Sequence, residues 1–272
     1  MKRSSRIVGI TSYFMQNPKQ LVQLVHFSDL YGASKSSISE DLTIVDQMLR
    51  HEGLGYLDRI SGAAGGVQYI PYLSKDRTTP FVNELCEKLA DPNRILPGGY
   101  LYMSDLLGNP SVVQRIGQLF ATAFSKLNID VVMTVETKGI PLAYAVANYL
   151  QVPVIIVRRD PKVTEGSSVS INYVSGSLRR IQTMVLPRRS LTEGMNVCIV
   201  DDFMKAGGTI NGMISLLDEF SANVKAIGVL AEADDEEDER IVEDYISIVK
   251  IKNVNMKNKA IDVSPGNFLN KI

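Results

Sequence analysis

The stretch Val197-Cys-Ile-Val-Asp-Asp-Phe-Met-Lys-Ala-Gly-Gly-Thr-Ile210 gathers residue types that can do chemistry. Its β-branched run Val197–Val200 predicts a buried strand, which delivers two adjacent carboxylates, Asp201 and Asp202, to its C-terminal end. Phe203, Met204, Lys205 and Ala206 lead into Gly207-Gly208-Thr209, where a helix is predicted over Ile210–Phe220. Glycines let successive backbone N–H groups converge on an anion, and the helix N-terminus adds partial positive charge. Thr209 adds a hydroxyl. Two carboxylates would repel a bare phosphate chain, so their natural partners are sugar hydroxyls or a metal ion. Phosphate plus ribose is the ligand this pattern suggests. The loop lacks the Gly-Lys-Ser/Thr of a Walker A motif and the spacing of a dinucleotide G-x-G-x-x-G loop.

Apolar strand, acidic pair, short loop and Gly-Gly-Thr resemble the phosphoribosyltransferase signature. The resemblance implies that Asp201 and Asp202 bind the ribose hydroxyls of 5-phosphoribosyl-1-pyrophosphate (PRPP). It likewise implies that Lys205 to Thr209 cradle the 5-phosphate. Val135-Glu136-Thr137-Lys138-Gly139-Ile140 follows a second predicted strand, Val131–Val135, and precedes an alanine-rich helix, Pro141–Leu150. It is similar to the pyrophosphate loop of the same family, with Thr137, Lys138 and Gly139 in the binding positions. Arg158-Arg159 and the polar stretch 162–180 resemble that family's flexible loop, although the arginines equally suit a surface charge cluster. Tyr102, beyond Gly98-Gly99, is implied to border the pocket; a core or interface tyrosine is the alternative. Phe203 to Ala206 is bulkier than the loop usual in active transferases, and Phe203 could stack on a purine ring. Xanthine-type transferases carry similar variants. No His or Cys constellation offers a nucleophile: His26 and His51 lie far from the loop, and Cys198 lies inside the strand. Hence no catalytic residue and no metal-ligand cluster is assigned.

These loops need a scaffold, and the chain supplies two. From Ser74 onward short apolar strands (Val131–Val135, Val154–Val157, Val197–Val200) alternate with helices, among them Pro110–Leu127. That order predicts an α/β, doubly wound parallel sheet of phosphoribosyltransferase type over residues 74–272, with ligands at the C-terminal strand ends. Residues 1–73 read differently. Ile7, Ile10 and Phe14 recur at helical spacing until Asn17-Pro18, and Phe27 to Tyr31 is a short apolar segment closed by Gly32. Ser37-Ile-Ser-Glu40 fits a capping box ahead of Ile38, Leu42, Val45 and Leu49. Leu54–Ile60 and Val67–Tyr72 then form a hairpin across a glycine-rich turn. Three helices and a hairpin make a winged helix-turn-helix, a DNA-binding order. Arg3, Arg6, Lys35, Ser36, Ser37 and Arg59 are the candidate DNA contacts. A helical cap packed on the second domain is the bland alternative.

The chain has 272 residues, a net charge of −1, 45% hydrophobic and 22% charged residues. This excludes a disordered or coiled-coil chain. No apolar run suits a membrane span, no secretory segment is evident, and two cysteines cannot build a disulfide framework, so a cytoplasmic protein is expected. Near-zero charge conceals asymmetry. Up to Ser39 five basic residues face one acid, Asp29, whereas Glu232-Ala-Asp-Asp-Glu-Glu-Asp-Glu-Arg240 is almost purely acidic and reads as a solvated helix start or loop. Both halves together resemble the purine-operon regulators of Gram-positive bacteria. Ser34–Asp41, Leu96–Tyr100, Lys162–Ser167, Ser170–Gly176 and Asp201–Gly208 carry the likeness. It implies a homodimer on operator DNA, a sensor domain without transferase activity, and PRPP as effector with magnesium as a candidate companion ion. Guanine-containing alarmone nucleotides are implied as candidate competitors. Two other readings stay open: a purine phosphoribosyltransferase with an accessory domain, and a nucleotide-binding module with a protein partner.

Overall fold

The helical repeat Ile7-Ile10-Phe14 lies on α1 (Arg3–Gln16), where Ile10 and Phe14 are fully buried. The computed structural model describes residues 1–62, 64–97, 100–161, 166–175, 180–234, 240–255, 258 and 260–272. α2 (Leu24–Tyr31) stops at Gly32, whose positive φ of 60° is the left-handed C-terminal turn that glycine adopts without strain. α3 (Lys35–His51) begins one residue after Ser34, not at Ser37. Ser34 holds extended backbone angles, and its Oγ accepts the Ser37 N–H at 3.2 Å. Ser37 is therefore the third helical residue. The capping-box spacing is displaced because an earlier serine occupies the cap.

β1 (Gly55–Ile60) and β2 (Gly66–Pro71) pair antiparallel, with Arg59 opposite Val67. An isolated bridge from Val22 to Val67 adds a short third rung. Ile38, Leu42, Val45 and Leu49 of α3 meet Ile10, Phe14, Phe27 and Leu57 in one core. This is the winged helix. It docks on the rest of the chain: the Leu73 N–H donates to Thr122 Oγ1 at 3.0 Å, Arg77 pairs with Glu52 at 2.7 Å, and Leu54 packs into both neighbouring cores.

Beyond α4 (Lys75–Leu89) come two short paired strands, β3 (Ile95–Leu96) and β4 (Tyr100–Leu101), then α5 (Ser104–Leu107) and α6 (Pro110–Phe124). Gly98 and Gly99 lie outside the described residues. The central sheet uses β5 (Val131–Val135), β6 (Val154–Val157) and β9 (Asn196–Met204), with α7 (Ile140–Leu150) crossing from β5 to β6. Between β6 and β9 stands an antiparallel hairpin, β7 (Ser168–Ser175) and β8 (Arg180–Pro187). The stretch 162–180 is thus partly strand rather than loop; its segments 162–165 and 176–179 lie outside the described residues. α8 (Gly208–Asp218) follows β9, then β10 (Asn223–Ala233), β11 (Ile246–Asn255), β12 (Ala260–Pro265) and α9 (Phe268–Lys271).

The six-stranded sheet runs β12-β11-β10-β9-β5-β6, and β12 alone is antiparallel to its neighbour. Alternate residues feed opposite faces. Val132, Cys198 and Val200 enter the core with α6 and α7, whereas Val131, Met133, Val197 and Ile199 enter the one with α8. Both faces being covered explains the unbroken apolar runs. Gly117 fits where α6 crosses α7, since a Cβ there would lie 2.6 Å from the Ala145 Cβ. Among the described residues no helix is long and apolar enough to cross a membrane.

Candidate functional site

β9 and β5 are parallel neighbours, with Met133 beside Ile199, so their C-terminal loops leave the same sheet edge. The loops touch. A Cβ on Gly139 would sit 2.2 Å from Thr134 Oγ1 and 3.0 Å from Asp201 Oδ1. Only glycine lets the segment Thr137–Gly139 lie this close to the acidic pair. Gly139→Ala is therefore expected to displace Asp201 and weaken anion binding roughly tenfold, on the scale of one to two lost hydrogen bonds. Calorimetric titration with pyrophosphate checks this. Thr134 Oγ1 is also the buried side-chain polar atom without a hydrogen-bond partner among the described residues.

Asp201 is 4% exposed, and its Oδ1 accepts the Asp202 N–H at 2.9 Å. Burial first, then the neighbouring Asp202 charge, pushes the Asp201 carboxyl well above the usual carboxylate range. Burial also raises Asp202, against a hydrogen bond with Asp201 and the positive charge of Lys138. Lys138 thus faces the pair from the opposite loop. Behind it, Glu136 accepts the Arg159 N–H at 2.9 Å and pairs with Arg158 at 3.4 Å. This ties the end of β6 to the β5 loop.

Beyond Asp202, Phe203 is half-buried against the α6–α7 core and Met204 is buried. Gly207 takes φ 89°, and α8 starts at Gly208 rather than Ile210, so Gly208 and Thr209 lie within its first turn. The first N–H groups of such a helix have no intrahelical acceptor and point outward. Lys205 and Thr209 flank that opening, both half-buried. The arrangement can hold a phosphate on N–H groups while two carboxylates accept hydroxyls beside it.

Sequence reasoning missed Tyr173. Its phenol donates to Gln182 Oε1 at 2.7 Å, and its ring lies on Gly212, where a Cβ would meet it at 2.9 Å. Burial raises its titration, while a hydrogen bond with Thr209 and the charge of Arg159 lower it and Asp201 raises it. The β7–β8 hairpin therefore leans over the start of α8. No spacing rule marks a tyrosine in a polar strand for that place. Tyr102, in contrast, is 43% exposed, and its carbonyl is held by Arg94 at 2.9 Å. Among the described residues no hydrogen bond joins it to the two loops. Nor do three or more His, Cys, Asp or Glu side chains gather there as a metal-binding group.

The winged helix carries the second site. Lys35 and Ser36 are exposed at the start of α3, Ser37 is half-buried, and the Ser34 hydroxyl bonds those of Ser36 and Ser37 at 2.9 Å. Arg59 reaches from β1 to Thr43 Oγ1 at 3.0 Å and Ser39 O at 3.3 Å, which lays the wing strand along α3. Arg6 needs correction as a DNA contact. It is 9% exposed and paired with Asp41, which is completely buried on the inner face of α3. The hydrogen bond that Arg6 donates to Asp41 raises the Arg6 guanidinium, so its charge is spent inside the fold. Arg3 shares the partner: it binds Asp41 at 3.0 Å and Glu40 at 3.3 Å but keeps half its surface in solvent.

Comparison with known proteins agrees with both halves. Residues 2–71 match the bacterial purine repressor N-terminal family, and residues 103–265 match the phosphoribosyl transferase domain family. A purine biosynthesis transcriptional repressor of Bacillus subtilis is 58% identical over 268 residues, covering 98% of this chain and 94% of that protein. A purine biosynthesis transcriptional activator of Lactococcus lactis is 46% identical over 270 residues, 99% of each chain. An adenine phosphoribosyltransferase from Thermoanaerobacter pseudethanolicus superposes with a TM-score of 0.53 at 21% identity, over 61% of this chain and 98% of that one, a likeness of fold alone. An N-terminal repressor domain, a phosphoribosyltransferase fold and near-full-length identity converge, and the chain belongs to the PurR family of purine-biosynthesis transcriptional regulators.

Proposed function

We propose that this regulator senses PRPP with a phosphoribosyltransferase-like domain that does no chemistry. Asp201 and Asp202 accept the ribose hydroxyls, the Lys205–Thr209 loop holds the 5-phosphate, and Thr137, Lys138 and Gly139 meet the pyrophosphate. The observation that carries this reading is the close packing of Gly139 on Asp201, which brings both anion loops to one sheet edge. Magnesium, when present, would supply charge neutralisation of the pyrophosphate. The acidic pair alone offers two carboxylates, so most of its oxygen ligands would come from PRPP and water. Guanine alarmone nucleotides fit the same phosphate-and-ribose cradle, with Phe203 beside the base.

PRPP alters operator binding only so far as it binds one state of the protein better than another. The docked winged helix gives it a route, because Leu73 and Arg77 join that domain to the sensor. The operator complex is assigned to a cytoplasmic homodimer. Whether the outcome is repression or activation follows from the position of the operator, and relatives of both kinds exist.

A second reading, a purine phosphoribosyltransferase, is favoured by the presence of both ligand loops. One incubation separates the two. The protein with PRPP, magnesium and each purine base is expected to bind PRPP by calorimetry and form no nucleotide. Nucleotide formation would overturn the sensor assignment, and absence of PRPP binding would overturn the effector.

A further inference from the structure

The acidic run 232–240 has no part in the site described above, yet its two ends meet behind the phosphate loop. Glu232, 4% exposed, is the penultimate residue of β10 beside Met204 of β9, so it is strand core rather than a solvated charge. Residues 235–239 lie outside the described residues. Three donors converge on that carboxylate, and a fourth residue braces them. Ser247 donates to Glu232 Oε1 at 2.7 Å, Arg240 to Oε2 at 2.6 Å, and the Tyr245 hydroxyl to Oε2. Arg240 also donates to Ala233 O at 2.9 Å and contacts the Tyr245 hydroxyl. Asn267 completes the set, accepting the Ser247 N–H at 2.9 Å and donating to Tyr245 O at 2.9 Å.

What this network fixes is the segment that returns to the site. The Ile241 N–H donates to Ala206 O at 3.0 Å. Val242, 5% exposed, lies with its Cγ2 3.1 Å from where a Gly207 Cβ would be. Ala206 and Gly207 are the residues that turn β9 into the N-terminus of α8. A carbonyl anchored from behind and a left-handed glycine pressed by a valine leave the N–H groups of Gly208 and Thr209 preorganised toward the ligand side.

We infer that Glu232 and Arg240 are positioning residues for the phosphate loop, acting through the Ile241 N–H and the Val242 side chain. They touch no ligand themselves. Their effect is confined to groups that bind at Gly207–Thr209 and does not reach the Thr137–Gly139 loop on the neighbouring strand. The inference rests on the assignment of the 5-phosphate to the first loop.

Two probes tell the loops apart: ribose 5-phosphate for the first and inorganic pyrophosphate for the second, each titrated calorimetrically into the full-length protein. Ile241→Pro removes the N–H, whereas Ile241→Ala shortens the largely exposed side chain and keeps it. The proline variant is expected to bind ribose 5-phosphate about tenfold more weakly than the alanine variant, the scale of one lost hydrogen bond plus loop disorder. Pyrophosphate affinity should change by less than about twofold over the same pair. Arg240→Gln should match Ile241→Pro, and the double variant should be no weaker than the weaker single, because both act through one contact. Equal affinities for ribose 5-phosphate in the proline and alanine variants would overturn the inference. So would equal weakening of both probes, which marks general loosening. Failure of the unsubstituted protein to bind ribose 5-phosphate would overturn the loop assignment itself and this inference with it.

Discussion

Asp201→Asn is expected to abolish the response to PRPP, leave operator binding intact and stabilise the unliganded protein at neutral pH. Function and stability move in opposite directions because the site stores a buried charge. Asp201 is 4% exposed, and burial together with the charge of Asp202 holds its titration well above the ordinary carboxylate range. A carboxyl whose folded titration is raised binds its proton more tightly in the native state. Stability is then complete below the ordinary carboxylate range and falls as pH rises toward the raised value. Asparagine keeps the shape without the ionisation. The stabilisation by Asn should therefore be absent in acid, grow across that window, and reach on the order of 1–2 kcal/mol at neutral pH, the scale for relieving a buried group that lacks compensation. Thermal denaturation of both proteins across pH reads it directly. The same substitution removes charge-assisted acceptors for ribose hydroxyls, so PRPP affinity should fall roughly 100-fold, enough to remove the response at PRPP concentrations that just saturate the unsubstituted protein. A variant that still responds normally would remove Asp201 from the site.

The second large effect lies in the winged helix. Asp41 is wholly buried on α3 and receives both Arg6 and Arg3 of α1. Asp41→Ala deletes the acceptor and leaves guanidinium groups without it in a place shaped for an ion pair. Breaking such a pair by removing one partner costs about 3 kcal/mol, a large part of the stability of a domain this small. Operator binding should be lost or become strongly temperature-sensitive, while PRPP binding by the sensor domain persists. Denaturation followed by the N-terminal tyrosines, with operator binding measured in parallel, tests this. Unchanged operator affinity and stability would show that the pair does not hold α1 against α3.

Local signals were legible where local physics decides the outcome. Val197–Val200 is apolar on both faces because helices cover both faces of the sheet, and that pattern alone announces a buried parallel strand. Gly207 and Gly208 mark the turn from β9 into α8, where Gly207 takes φ 89°, and the repeat Ile38-Leu42-Val45-Leu49 marks the inner face of α3. Long-range packing hid the rest. Nothing near Arg6 in sequence shows that Asp41, 35 positions away, withdraws it from the surface. Ser34, not Ser37, takes the cap because it holds extended backbone angles just ahead of α3, a register that composition does not encode. Glu232 looks like the first residue of an acidic run, yet β10 extends through it and Ser247 and Tyr245 arrive from β11 and its approach. β11 and β12 went unread because Lys250, Lys252, Asn253 and Asn255 interrupt the apolar residues of β11, and β12 is a short edge strand broken by Asp262, Ser264 and Pro265. Tyr173 gains meaning only when its hairpin folds over Gly212.

The most direct test is the affinity of the full-length protein for a purine-operon control region, titrated with PRPP at fixed salt. Salt must be held because phosphate contacts release counterions and dominate the measured affinity. A saturable PRPP-dependent change in operator affinity, absent in Asp201→Asn, is the predicted result. No operator binding with or without PRPP, or binding that PRPP leaves unchanged, would contradict it.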